Sequence, residues 1–137
     1  MLTVLDAHLA GYDIVPDEKE IISQKLIQWV DNEGFDLIIT TGGTGLSPRD
    51  VTPEATLAVV ERIAPGFAEA MRAESRKKTP MAVLSRGVAG IRGSSLIINL
   101  PGSPKAVREC LEVILPALPH AMEVLKGTAV ECGEERA

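Results

Sequence analysis

Leu37-Ile38-Ile39-Thr40-Thr41-Gly42-Gly43-Thr44-Gly45-Leu46-Ser47-Pro48-Arg49-Asp50-Val51-Thr52-Pro53-Glu54 reads as a buried strand, a glycine-rich loop, one carboxylate and the start of a helix. Leu37, Ile38 and Ile39 form a short apolar run closed by turn residues, as a central parallel strand requires. Gly42, Gly43 and Gly45 let the backbone approach a ligand closely. Thr52-Pro53 then predicts a helix start, with a hydroxyl at N-cap and proline at the first helical position. Strand, glycine loop and helix N-terminus together suit an anion, most often phosphate. A carboxylate at Asp50 beside a phosphate needs a cation between them, and Mg²⁺ is the simplest choice. Gly-Gly-Thr-Gly by itself is also a common turn, and it is neither a Walker A loop nor a dinucleotide fingerprint.

Outward from this stretch, the chain has 137 residues, enough for one domain with a real core. A net charge of -5 argues against a nucleic-acid partner, which would need a basic patch. Hydrophobic residues make up 45% but aromatics only 3%, so the core is aliphatic, as in a parallel sheet covered by helices. Cys110 and Cys132 are too few for a disulfide framework and read as free thiols in a reducing cytosol. No apolar run is long enough to span a membrane and the start lacks a signal-peptide pattern, so a cytoplasmic protein is expected.

Before the loop, Met1 to Val15 is the least readable part: Leu2, Leu5 and Leu9 fall at helical spacing, but Leu2 to Leu5 also reads as a strand. Ile14-Val15-Pro16-Asp17-Glu18 predicts a strand end entering a helix whose buried face is Ile21, Ile22, Leu26, Ile27 and Val30, with Gly34 ending it. Asp17 and Glu20 have capping-box spacing. After Pro53 a helix is expected through Leu57, Val59, Val60 and Ile63, and a second from Phe67 to about Lys78. Gly87 to Gly93 reads by composition as a hairpin-like loop. Leu96 to Leu100 is the last clear strand. Pro101-Gly102-Ser103-Pro104 repeats the strand, glycine turn and helix start of the first site, with Ser103 at N-cap. A final helix ends at Gly127, His120 on it has no Cys or Asp at ligand spacing and reads as structural, and the last residues read as a solvated tail.

The run from Gly42 to Glu54, with Val15-Pro16-Asp17-Glu18 before it and Asn99-Leu100-Pro101-Gly102-Ser103-Pro104 after it, resembles the three motifs of the molybdopterin adenylyltransferases, the MogA-like proteins and the G domain of gephyrin. The resemblance covers nearly all of residues 12–127. It implies an α/β fold, a mostly parallel sheet with helices on both faces, in a single domain spanning 1–137. It also implies Mg²⁺-dependent transfer of an adenylyl group from ATP to molybdopterin in molybdenum cofactor biosynthesis. By the same resemblance Asp17 and Asp50 are the catalytic, metal-holding carboxylates. Gly42, Gly43, Thr44, Gly45, Asn99, Pro101, Gly102 and Ser103 hold nucleotide, and Ser75, Ser85 and Glu54 contact the pterin substrate. Leu84-Ser85-Arg86 and Gly90-Ile91-Arg92-Gly93 are hallmarks of the same family. A homotrimer and a molybdenum-insertion partner are expected on the same ground. The departure is at the start, where the loop and most of the first helix have no counterpart, so residues 1–11 read as a shortened N-terminus. A binding or scaffolding protein that keeps the fold without catalysis is the alternative.

Overall fold

The computed structural model describes residues 7–127. Four strands form one sheet in the order β1-β4-β3-β2: β1 (Leu37–Thr41), β2 (Arg62–Ile63), β3 (Ala89–Arg92) and β4 (Ser95–Leu100). Strands β1 and β4 are parallel, pairing Leu37 with Leu96 through Thr41 with Leu100. The other two pairings, β3 with β4 and β2 with β3, are antiparallel. The parallel pairing expected of the two apolar runs therefore lies at β1–β4, but β1, expected at the centre, is at the edge of the described sheet, and that sheet as a whole is mixed. The antiparallel part comes from a two-residue turn at Gly93-Ser94, where Gly93 takes φ +59° and folds β3 back onto β4.

Helices cover both faces, and β4 serves both. Leu96, Ile98 and Leu100 pack with Met71 of α3 (Pro65–Arg76), Cys110, Leu111 and Ile114 of α4 (Pro104–Ile114), and Leu118 at the start of α5 (Leu118–Leu125). On the opposite face Ile97 and Ile38 meet Ile22 and Leu26 of α1 (Lys19–Ile27) and Ala55 of α2 (Thr52–Leu57). This alternation is why all six residues of β4 are buried.

Several elements differ from the sequence expectation. The helix predicted to reach Ile63 ends at Leu57, because Ile63 instead pairs with Gly90 in the sheet and Val60 packs on that glycine. A Cβ on Gly90 would sit 2.7 Å from a Val60 methyl, so the glycine permits close packing in a strand where its composition suggested a loop. Met81 to Leu84 form a 3₁₀ turn (Pro80–Leu84) capped by the Thr79 hydroxyl, which accepts from Met81 N. The first helix loosens into a π segment at Gln28–Asn32 before Gly34. Ile14 and Val15 join no strand, since no strand among the described residues offers them a ladder. The strand-or-helix reading of residues 2–5 and Cys132 lie outside the described residues. Among the described residues, no helix is long and apolar enough to cross a membrane.

Candidate active site

The loop after β1 is held by its carbonyl groups. Gly43 O accepts from Thr52 N at 3.1 Å, Thr44 O from Arg86 N at 2.8 Å, and Gly45 O from Arg86 Nε at 2.7 Å. Among the described residues no peptide bond is cis, so each bound carbonyl turns the N–H of the next residue the opposite way. The amides of Thr44, Gly45 and Leu46 thus point away from these partners, and among the described residues they have no acceptor. Three successive N–H groups without an acceptor among the described residues make this loop a candidate cradle for an anion. Gly42 (φ +88°) and Gly43 (φ +69°) supply the left-handed backbone that the loop needs.

Two carboxylates face this loop. Asp50 Oδ2 lies 2.8 Å from where a Cβ on Gly45 would sit, and it accepts from Ser47 N at 3.0 Å. Asp17 Oδ1 lies 3.8 Å from the corresponding point on Gly43. The capping-box reading of Asp17 does not hold: Glu18 is the N-cap of α1 and no side chain caps it, which leaves the Asp17 carboxylate facing the loop. Thr52 is likewise not an N-cap by its hydroxyl; Val51 takes that position while Thr52 packs its side chain on Gly43. Hard carboxylate oxygens are the donor type that suits Mg²⁺, and Asp17 and Asp50 are the residues here that would hold one; among the described residues no group of three or more His, Cys, Asp or Glu side chains is placed to hold a metal by itself.

The second glycine turn touches the first. Gly42 N donates to Leu100 O at 3.0 Å, and a Cβ on Gly102 would approach the Gly42 Cα to 3.3 Å. Ser103 caps α4 as expected, accepting from Ala106 N at 3.2 Å. Asn99, which also lines the cavity described below, has its side-chain amide engaged within the fold. Its Oδ1 accepts from Val88 N, and its Nδ2 donates to Thr40 and Thr56, all inside the fold. At 2% exposure, its amide fixes the sheet end under the two loops.

Beside Pro101 a cavity of about 220 Å³ opens between α3, the 3₁₀ turn and α4. Met71, Arg72, Ser75, Ser85, Pro101 and Cys110 contribute to its wall, so both predicted substrate serines reach one pocket. Cys110 is a buried free thiol whose pKa burial pushes up, and its Sγ lies 3.8 Å from Ser75 Oγ. Arg72 Nη1 donates to Gly87 O at 2.8 Å. Glu54, expected on the substrate, is paired with Arg86 at 2.5 Å; that hydrogen bond holds the Glu54 carboxyl below the usual range. Sequence reasoning does not identify Arg72 and Cys110 as pocket residues, and nothing in their spacing marks them; only α3 and α4 packing side by side joins them.

The family described as a probable molybdopterin binding domain matches residues 1–120. A molybdopterin adenylyltransferase of Helicobacter pylori (strain J99) is 48% identical over 135 residues, covering 98% of this chain and 75% of that protein. The molybdopterin adenylyltransferase of Escherichia coli (strain K12) is 45% identical, covering 89% of this chain and 69% of the relative. The crystal structure of a molybdopterin biosynthesis enzyme, MoaB of Thermus thermophilus, superposes with a TM-score of 0.84 at 55% identity, over 92% of this chain and 82% of that one. The chain belongs to the molybdopterin binding domain family.

Proposed function

We propose that this protein is a molybdopterin adenylyltransferase acting in molybdenum cofactor biosynthesis, with ATP as co-substrate and Mg²⁺ as its metal. The supporting observation is the row of outward amides at Thr44, Gly45 and Leu46 set beside Asp17 and Asp50. Adenylyl transfer brings two anions together. A terminal phosphate oxygen of molybdopterin forms a bond to the α-phosphorus of ATP, and the bond to the β-phosphate oxygen breaks, releasing pyrophosphate. Such a reaction needs positioning and charge stabilisation more than a side-chain nucleophile. The loop amides offset phosphate charge with dipoles already oriented. Asp17 and Asp50 would hold Mg²⁺, which would supply charge neutralisation to the phosphates. Gly42 and Gly102 keep the two loops in contact, so nucleotide on the first lies next to Pro101 and the pocket mouth. Ser75 and Ser85 then bind the pterin substrate inside the pocket.

A homotrimer belongs to this reading, consistent with the exposed apolar side chains of Met81, Val83 and Leu84. So do a cytoplasmic location, where ATP is available, and a partner that inserts molybdenum. Incubation with ATP, Mg²⁺ and molybdopterin, followed by pyrophosphate measurement, tests the assignment. Pyrophosphate released in step with adenylylated pterin is expected; binding of both ligands without release would establish a scaffolding protein instead.

Ser75→Ala and Ser85→Ala are expected to weaken molybdopterin more than ATP. Loss of one hydrogen bond to a charged group costs about 1.5–3 kcal/mol, on the order of ten- to a hundredfold in affinity. Titration of each variant with each ligand checks this, and equal losses for both ligands would move the serines out of the pterin site.

A further inference from the structure

Arg86 lies between the pocket and the anion loop, and every nitrogen of its guanidinium is engaged within the protein. Nε donates to Gly45 O and Nη2 to Asp50 O, both at 2.7 Å, while Nη1 pairs with Glu54. Its own backbone N–H donates to Thr44 O. With its charge met by Glu54 and each of its nitrogens bonded within the protein, this side chain acts on the loop.

The loop between those two carbonyls runs from Gly45 to Asp50 and contains the exposed residues Leu46, Ser47, Pro48 and Arg49. Inside it, Asp50 N donates to Ser47 O and Ser47 N to Asp50 Oδ2. These local bonds shape the turn but do not place it. One rigid planar fork spans both ends, so the separation of Gly45 O and Asp50 O is set by guanidinium geometry. Holding Gly45 O turns the Leu46 amide into the cradle; holding Asp50 O fixes the backbone that carries the Asp50 carboxylate. Ser85, the neighbouring residue, lines the pocket. We propose that Arg86 is the positioning residue of this site, clamping both ends of the Gly45–Asp50 loop so that cradle amides and metal-holding carboxylate keep one geometry. The proposal rests on the adenylyltransferase reading for its ligands, though not for the clamp itself.

Arg92 provides a matched comparison. Its Nε and Nη2 pair with Asp31, and its Nη1 donates to Val59 O at 2.8 Å, a similar tie remote from the loop. Arg86→Ala, Arg86→Lys and Arg92→Ala are compared by two measurements: the affinity for Mn²⁺ with ATP, read from the electron paramagnetic resonance of free Mn²⁺, and amide hydrogen exchange over residues 45–50 without ligand. Groups that orient metal ligands typically change metal affinity on the order of 10–100-fold, and Arg86→Ala is expected to fall in that range with faster exchange. Arg86→Lys keeps a charge beside Glu54 but cannot span both carbonyls, so it is expected to fail similarly. Arg92→Ala is expected to lower the unfolding temperature while leaving Mn²⁺ affinity and 45–50 exchange as in the parent. Parental affinity in Arg86→Ala, or full rescue by lysine, would overturn the clamp. Failure of the parent protein to bind Mn²⁺ with ATP would overturn the proposed function; the exchange measurement then decides the clamp alone, faster exchange supporting it and unchanged exchange overturning it.

Discussion

Asp50→Asn is expected to reduce adenylyl transfer on the order of 10²-fold or more while molybdopterin binding stays near the parental value. The substitution is isosteric, and an amide oxygen can still accept from Ser47 N, now at 3.0 Å from Asp50 Oδ2. The backbone carbonyl of residue 50 keeps its bond to Arg86. The loop therefore retains its fold, and the charge is what disappears. A metal ion's stabilisation of transition-state charge is worth several kcal/mol, and each 1.4 kcal/mol is about tenfold in rate. Asp50 is not part of the pocket wall that holds Ser75 and Ser85, so substrate affinity is insulated from the change. Rates and dissociation constants measured at saturating Mg²⁺ separate the two effects. Near-parental turnover would remove Asp50 from the chemistry.

The parts of the site legible in sequence are those in which local pattern and final role agree. Leu96 to Ile98 are apolar because β4 lies inside the sheet, while Leu37 to Ile39 are apolar because β1, at the edge of the described sheet, packs on helices on both faces; the glycine turns follow directly from the strand ends. Asp17 and Asp50 reach one loop because their segments converge at the same end of the sheet, the general place for ligands in open α/β folds. Legibility fails where a residue serves a partner distant in sequence. Gly90 looks like loop punctuation, yet it is in a strand because Val60 occupies the space of its missing side chain. Val59 and Val60 continue an apolar helical pattern, but pairing of Ile63 with Gly90 prevails over it. Asn99 sits in a motif that suggests ligand contact, while its amide ties β4 to Thr40, Thr56 and Val88. Arg86 follows a serine of interest, but its bonds to Gly45 and Asp50 cross 41 and 36 residues and no periodicity encodes them.

Gly43→Ala is expected to damage stability and nucleotide binding together. Gly43 has φ +69°, where an L-residue costs roughly 1–2 kcal/mol. Its new Cβ would also sit 2.3 Å from Thr52 Oγ1, far inside any van der Waals contact. Thr52 cannot retreat: it is 6% exposed, opens α2 and is followed by the buried Pro53 and Ala55. The loop must move instead, which breaks the bond from Thr52 N to Gly43 O and swings the Thr44 amide out of the cradle. Overpacking of this kind typically costs about 1–3 kcal/mol, in addition to the dihedral strain. Gly43→Ala/Thr52→Ala separates the two costs, because it removes the 2.3 Å contact and leaves the strained φ. Denaturant unfolding of the parent, both single variants and the double variant should show recovery of the steric part alone, with a deficit of roughly 1–2 kcal/mol remaining. Nucleotide affinity should follow the steric part, since displacement of the loop, and not its strain, moves the amides. A Gly43→Ala protein with parental stability and parental affinity would mean that the loop slides off Thr52 without cost, and a cradle that slides freely cannot be the preorganised dipole array that adenylyl transfer requires.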